Sequence, residues 1–125
     1  MHNQPSVTEL VQSVKNFVDQ TAMPELTGRA AFHARVASNV LATILRDLES
    51  RDSNDAAELG RLQALLSDNG TSSIEKLNRD LRDAIRAGDL TIESDQLLDH
   101  LKKTAIAQLK VDQPGYSGLA DALKE

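Results

Sequence analysis

The chain has no cysteine and no tryptophan. Without cysteine, disulfides, thiolate nucleophiles and thiolate zinc sites are excluded together, and the composition suits a reducing compartment. Aromatics are nearly missing as well. Phe17, Phe32 and Tyr116 are the whole set, too few for the stacking platforms that bind single-stranded nucleic acid. Positive charge is not in surplus: 14 Lys and Arg face 19 Asp and Glu, a formal net charge of -5. That balance opposes the phosphate backbone, so no nucleic-acid partner is expected. No apolar run approaches the roughly 20 residues that span a bilayer. The start, Met1-His2-Asn3-Gln4-Pro5, lacks the basic and apolar regions of a secretion signal. The expectation is a cytoplasmic protein without membrane contact.

Several chemical signatures are missing too. There is no Gly-rich phosphate loop, no Ser-nucleophile motif and no pair of acidic metal motifs. His2, His33 and His100 show no His-x-x-x-His spacing, so neither a metal site nor a cofactor is expected. His2 is assigned to a loose terminus and His100, following Asp99, to a polar helix face.

What is present is Leu, Ala, Val and Ile at helical spacing in 125 residues. The pattern predicts one all-α domain spanning 1–125, a compact bundle of about five helices plus a short C-terminal helix. Ser6 and Glu9 form a capping box opening a helix over about 7–20, which Pro24 ends. A second helix runs from about Thr27-Gly28 to Ser50. Asp52-Ser53-Asn54-Asp55 reads as a break before a third helix carrying Leu59, Leu62, Leu65 and Leu66, closed by Asp68-Asn69-Gly70. Ser72-x-x-Glu75 opens a fourth, with Ile74, Leu77, Leu81, Ala84 and Ile85 inward and Gly88 as its stop. A fifth over about 94–111 buries Leu97, Leu98, Leu101, Ala105 and Leu109. Pro114-Gly115 then turns the chain into the last short helix.

The most informative stretch is Phe32-His33-Ala34-Arg35-Val36-Ala37-Ser38-Asn39-Val40-Leu41, where polar groups interrupt an apolar helical pattern. At 100° per residue, Ala37, Val40, Leu41, Ile44 and Leu48 share one arc and are expected in the core. His33 projects within the same arc, which argues for a buried histidine hydrogen-bonded to backbone or to a neighbouring helix. Arg35, Asn39 and Arg46 line a second stripe with Phe32 at its edge. That stripe could bond another helix, remain solvated, or present two guanidinium groups and an amide to a partner or an anion. Arg79, Arg82 and Arg86 make another basic stripe, for which Glu75 and Asp83 offer surface ion pairs. Asn78, at the margin of an apolar face, suits a bond to another helix or the capping of a backbone group. No catalytic residue can be assigned from these patterns.

The segments Phe32-His33-Ala34-Arg35-Val36-Ala37 with Asn39 and Leu41, Leu77-Asn78 with Leu81, Ile85-Arg86-Ala87-Gly88, and Gln113-Pro114 with Tyr116 together resemble a bacterial family described as domain of unknown function 6285. Arg82-Asp83 and Gly115 depart from its pattern. The resemblance implies a small all-α protein encoded beside an aminoglycoside-phosphotransferase-like kinase, with acyl-CoA dehydrogenase genes close by. It further implies the role of a non-catalytic accessory subunit, in which the kinase brings nucleotide, magnesium and the phosphorylation of hydroxyacyl-CoA. The candidate partner- or anion-binding residues are then Phe32, His33, Arg35, Asn39, Arg46, Asn78, Arg86 and Tyr116, with acyl-CoA as a further contact. Two alternatives stand beside this: a small enzyme using His33 as base with Arg35 or Arg86 as clamp, and a self-associating structural bundle.

Overall fold

The computed structural model describes residues 3–125. The described residues are 78% helical and include no strand, as the apolar periodicity predicts. Five α-helices follow one another: α1 (Val7–Phe17), α2 (Gly28–Leu66), α3 (Ile74–Ala87), α4 (Asp95–Asp112) and α5 (Ser117–Ala122). The chain divides into two units, Met1–Ser50 and Arg51–Glu125.

In the first unit, α1 begins at the anticipated capping box. The Glu9 amide donates to Ser6 Oγ at 3.2 Å while the Ser6 amide donates to Glu9 Oε2 at 2.6 Å, satisfying two of the N–H groups that a helix start leaves open. Both hydrogen bonds hold the Glu9 carboxyl below its ordinary range, the backbone one most. Beyond Phe17 the helix widens into a π turn over Val18–Ala22 and tightens into a 3₁₀ turn over Met23–Glu25. Pro24 lies in that last turn, and Leu26 is extended. Lys15 Nζ meets Asp19 Oδ2 at 2.6 Å, and the Ser38 hydroxyl donates to Asp19 Oδ1, tying α2 to the π turn.

The break expected at Asp52–Asp55 does not occur, for α2 runs unbroken through it for 39 residues. Asp, Ser and Asn are only weakly unfavourable inside a helix, and nothing in this run locks the backbone as proline would. Asp52, Ser53 and Asp55 are exposed, so the run buries little polar surface. The division between units nonetheless falls at Ser50/Arg51, beside the same run. The end of α2 also differs from expectation. Ser67, with φ 53°, takes the left-handed position, and the Asp68 amide donates to the Gln63 carbonyl at 3.0 Å to close the helix. Asp68-Asn69-Gly70 forms the loop beyond. There the Asp68 carboxylate accepts from the Gly70 amide at 2.8 Å and from Ser72 Oγ at 2.7 Å, which together hold its pKa down, the Ser72 bond most.

The second unit holds the core. Leu62 of α2, Leu77 and Leu81 of α3 and Leu97 of α4 form one buried cluster, with Leu59, Leu65, Leu66, Ile74 and Leu90 packed around it. Ser73, one residue later than expected, caps α3 through the Lys76 amide at 3.2 Å. Gly88 ends that helix in the left-handed conformation at φ 80°, as anticipated. Ser94 caps α4 through the Leu97 amide at 3.1 Å. The buried face of α4 is not the expected one: Leu98, Leu101 and Ala105 are exposed, Leu109 is half-buried, and Leu97, His100 and Val111 point inward. Ile85 of α3 is likewise exposed.

Candidate functional site

On the first half of α2 the covered small and apolar residues are Ala31, Ala34, Ser38, Leu41, Ala42, Leu45 and Leu48, with Thr43, Arg46 and Asp47 half-buried beside them, and Ser38 alone is buried. Ala37, Val40 and Ile44, expected inside, are exposed. The helix is therefore rotated by about a quarter turn from the arc read off the sequence. Its outer face carries Phe32 at 58% exposure, Val36 at 44%, Val40 at 53% and Ile44 at 40%, spaced four residues apart. Such a helix is apolar on two faces, a pattern that in water calls for covering on both. The first unit has no side chain in the buried core, whose members Leu62, Leu77, Leu81, Leu97, Val111 and Leu119 all belong to the second.

His33 is not a core histidine. It is exposed on this outer face, where its ring meets Phe32 edge-on at a centroid distance of 5.6 Å and its Nε2 accepts from Arg29 Nε at 3.3 Å. The reason for the misplacement is the rotation of α2, which moves the covered arc onto the small residues Ala34 and Ser38. Arg35 and Asn39 are exposed, while Arg46 is half-buried with Nη2 donating to Thr43 Oγ1 at 3.1 Å. The projected stripe thus keeps Arg35 and Asn39 at the surface and uses Arg46 partly as an internal brace.

The remaining candidates belong to the second unit. Asn78 Nδ2 donates to Glu58 Oε1 at 2.8 Å, joining α3 to α2 as the sequence suggested. Arg86 is exposed in the last turn of α3, where a cation complements the helix dipole. Tyr116 precedes α5 and is 51% exposed. Its ring lies over Gly118, where an added Cβ would come within 2.7 Å of Tyr116 Cε1. These positions make no common site with one another.

A site that sequence reading missed lies between α2 and α4. Ala56, Ala57, Gly60, Arg61, Ala64, Gln96, Asp99 and His100 line a groove of about 370 Å³. His100 is 2% exposed, not on a polar face. Burial pushes its pKa down, the Arg61 charge adds to that, and Glu58 and Asp99 oppose it. Arg61 Nη2 donates to Thr104 Oγ1 at 3.1 Å, whereas Arg61 Nε and His100 Nδ1 are buried with no hydrogen-bond partner. The available signal was the Ala56-Gly60-Ala64 spacing on one helix and the inward series Leu97-His100-Thr104 on the other.

Among the described residues no group of three or more His, Cys, Asp or Glu could hold a metal ion, and no helix is long and apolar enough to cross a membrane. The class these features define is a small all-α protein with an exposed apolar helix face and an alanine-lined groove that carries Arg61 and His100. The sequence model of the family described as "Domain of unknown function (DUF6285)" matches residues 24–116, and the chain belongs to this family. Comparison with curated proteins and with solved structures finds no match.

Proposed function

We propose that the protein is a non-catalytic accessory subunit that docks an aminoglycoside-phosphotransferase-like kinase acting on hydroxyacyl-CoA in organic acid catabolism. The observation that carries the docking role is the outer face of α2, where Phe32, Val36, Val40 and Ile44 are all exposed beside Arg29, His33 and Arg35. A stripe of large apolar groups rimmed by arginines has the make-up of an interface centre. The kinase as partner, and acyl-CoA as its substrate, rest on the family resemblance alone. The protein works in the cytoplasm on this reading.

The test is calorimetry of the purified chain with the neighbouring kinase. Phe32→Asp should weaken the complex by about 2–4 kcal/mol and Arg35→Ala by about 1–4 kcal/mol, without loss of the isolated fold. Failure of the wild-type proteins to associate at micromolar concentration, with and without ATP and acyl-CoA, would exclude the reading.

A further inference from the structure

We infer that the groove between α2 and α4 binds a small carboxylic acid, with the carboxylate on Arg61 and His100 and a short apolar chain along the alanines. Two buried nitrogens without partners, Arg61 Nε and His100 Nδ1, belong to side chains lining the same groove. Buried polar atoms in native proteins nearly always have a partner, so two orphans on one cleft mark an unmet polar demand; Arg61 Nε can only donate, and His100 Nδ1 donates in the tautomer that carries its hydrogen there. Arg61 forms no ion pair with any carboxylate among the described residues, its polar contact being the Thr104 hydroxyl at 3.1 Å. The two carboxylates nearby are already engaged: Asp99 with Lys103 at 2.9 Å and Glu58 with Asn78 at 2.8 Å. One guanidinium and one imidazole match the single charge and two oxygens of a carboxylate. Asp99 on the groove wall and Glu58 beside it oppose any anion there, a dianionic phosphate about twice as strongly as a carboxylate, which favours the singly charged ligand.

Gly60 supports this independently. It stands in the interior of a 39-residue helix, where glycine is the poorer choice over alanine. Its backbone does not require it, and a Cβ built there meets nothing within 4 Å. What the missing side chain does is keep the floor of the groove open between Ala56 and Ala64. The volume of about 370 Å³ is at the low end of the ~300–1,000 Å³ range of ligand clefts, and the alanine floor suits a short hydrocarbon chain.

Titrating the full-length protein with sodium hexanoate, followed by ¹H–¹⁵N NMR, tests the assignment. Hexanoate should shift the amides of Gly60, Ala64, Gln96 and His100 saturably, and hexanamide, which lacks the charge, should bind about tenfold more weakly or less. Arg61→Gln should weaken binding by at least about tenfold. Gly60→Leu should abolish the shifts without lowering the melting temperature, because it fills the groove and replaces a glycine inside a helix. This variant keeps the test decisive if Arg61→Gln fails to fold. The inference is overturned if hexanoate gives no saturable shift below about 20 mM, if hexanamide binds equally well, or if binding survives in Gly60→Leu.

Discussion

His100 and His33 exchange the roles that their neighbours suggest, and each reversal has a consequence that can be measured. His100 is buried beside Arg61, so its folded pKa lies below the ordinary 6.5 while the unfolded chain titrates near that value. Between the two values the unfolded state binds more protons. Stability is therefore complete above about pH 6.5 and declines as the pH falls toward the folded pKa. Thermal melts taken stepwise downward from neutral pH should show this decline, and His100→Gln should flatten it in that window. Among apolar residues, Leu62 at 0% exposure should cost about 2–5 kcal/mol on truncation to alanine. The half-buried Leu48, which the sequence pattern would place in the core, should cost clearly less. Urea unfolding of both variants makes the comparison. Periodicity cannot separate such cases, because the first half of α2 is apolar around most of its circumference and any arc of it could face inward.

At the scale of elements, glycine separates the effects of backbone and packing. Gly88 holds φ at 80° to end α3, a conformation in which a side chain is strained, so Gly88→Ala should destabilise by about 1 kcal/mol or more. Gly60 has neither that backbone nor a close neighbour, and Gly60→Ala should stabilise by about 0.5–1 kcal/mol. Opposite signs from the same substitution, read by chemical denaturation, would confirm both assignments. Caps were legible for the same local reason that makes these predictions possible. Ser6 and Gly88 act through groups within a few residues of themselves, while the cap of α3 lies at Ser73, one residue beyond the Ser72 that the spacing offers. The break at Asp52–Asp55 was misread because turn-forming residues express a preference, which an otherwise helical context overrides.

For the whole molecule, burial is unevenly shared. The second unit contains the buried leucine cluster, while α1 has no buried residue and exposes Val7, Leu10, Val14 and Phe17. Regions with few buried apolar contacts open at low free-energy cost. Amides of α1 and of the first half of α2 should therefore exchange with deuterium well before those of Leu77, Leu81 and Leu97. A partner seated on the outer face of α2 should slow exchange there and leave the leucine cluster unchanged. Mass-spectrometric exchange with and without the kinase reads both. If the first unit were protected as strongly as the second in the isolated protein, its apolar faces would have to be covered already, and the docking role would lose its support.

The sequence by itself determined the all-α class, the helix starts near Ser6 and Ser94, the stop at Gly88 and the family membership. Each of these rests on local spacing or on a run of residues. Only the tertiary structure decided which way α2 and α4 turn, that α2 continues past Asp55, and that Arg61 and His100 share a groove. The turn of each helix is set by contacts between residues distant along the chain: Ser38 with Asp19, Asn78 with Glu58, and Arg61 with His100 on one groove. A helix with apolar groups on two faces can satisfy its own hydrogen bonds equally well in either rotation. The choice between them is made by what packs against it.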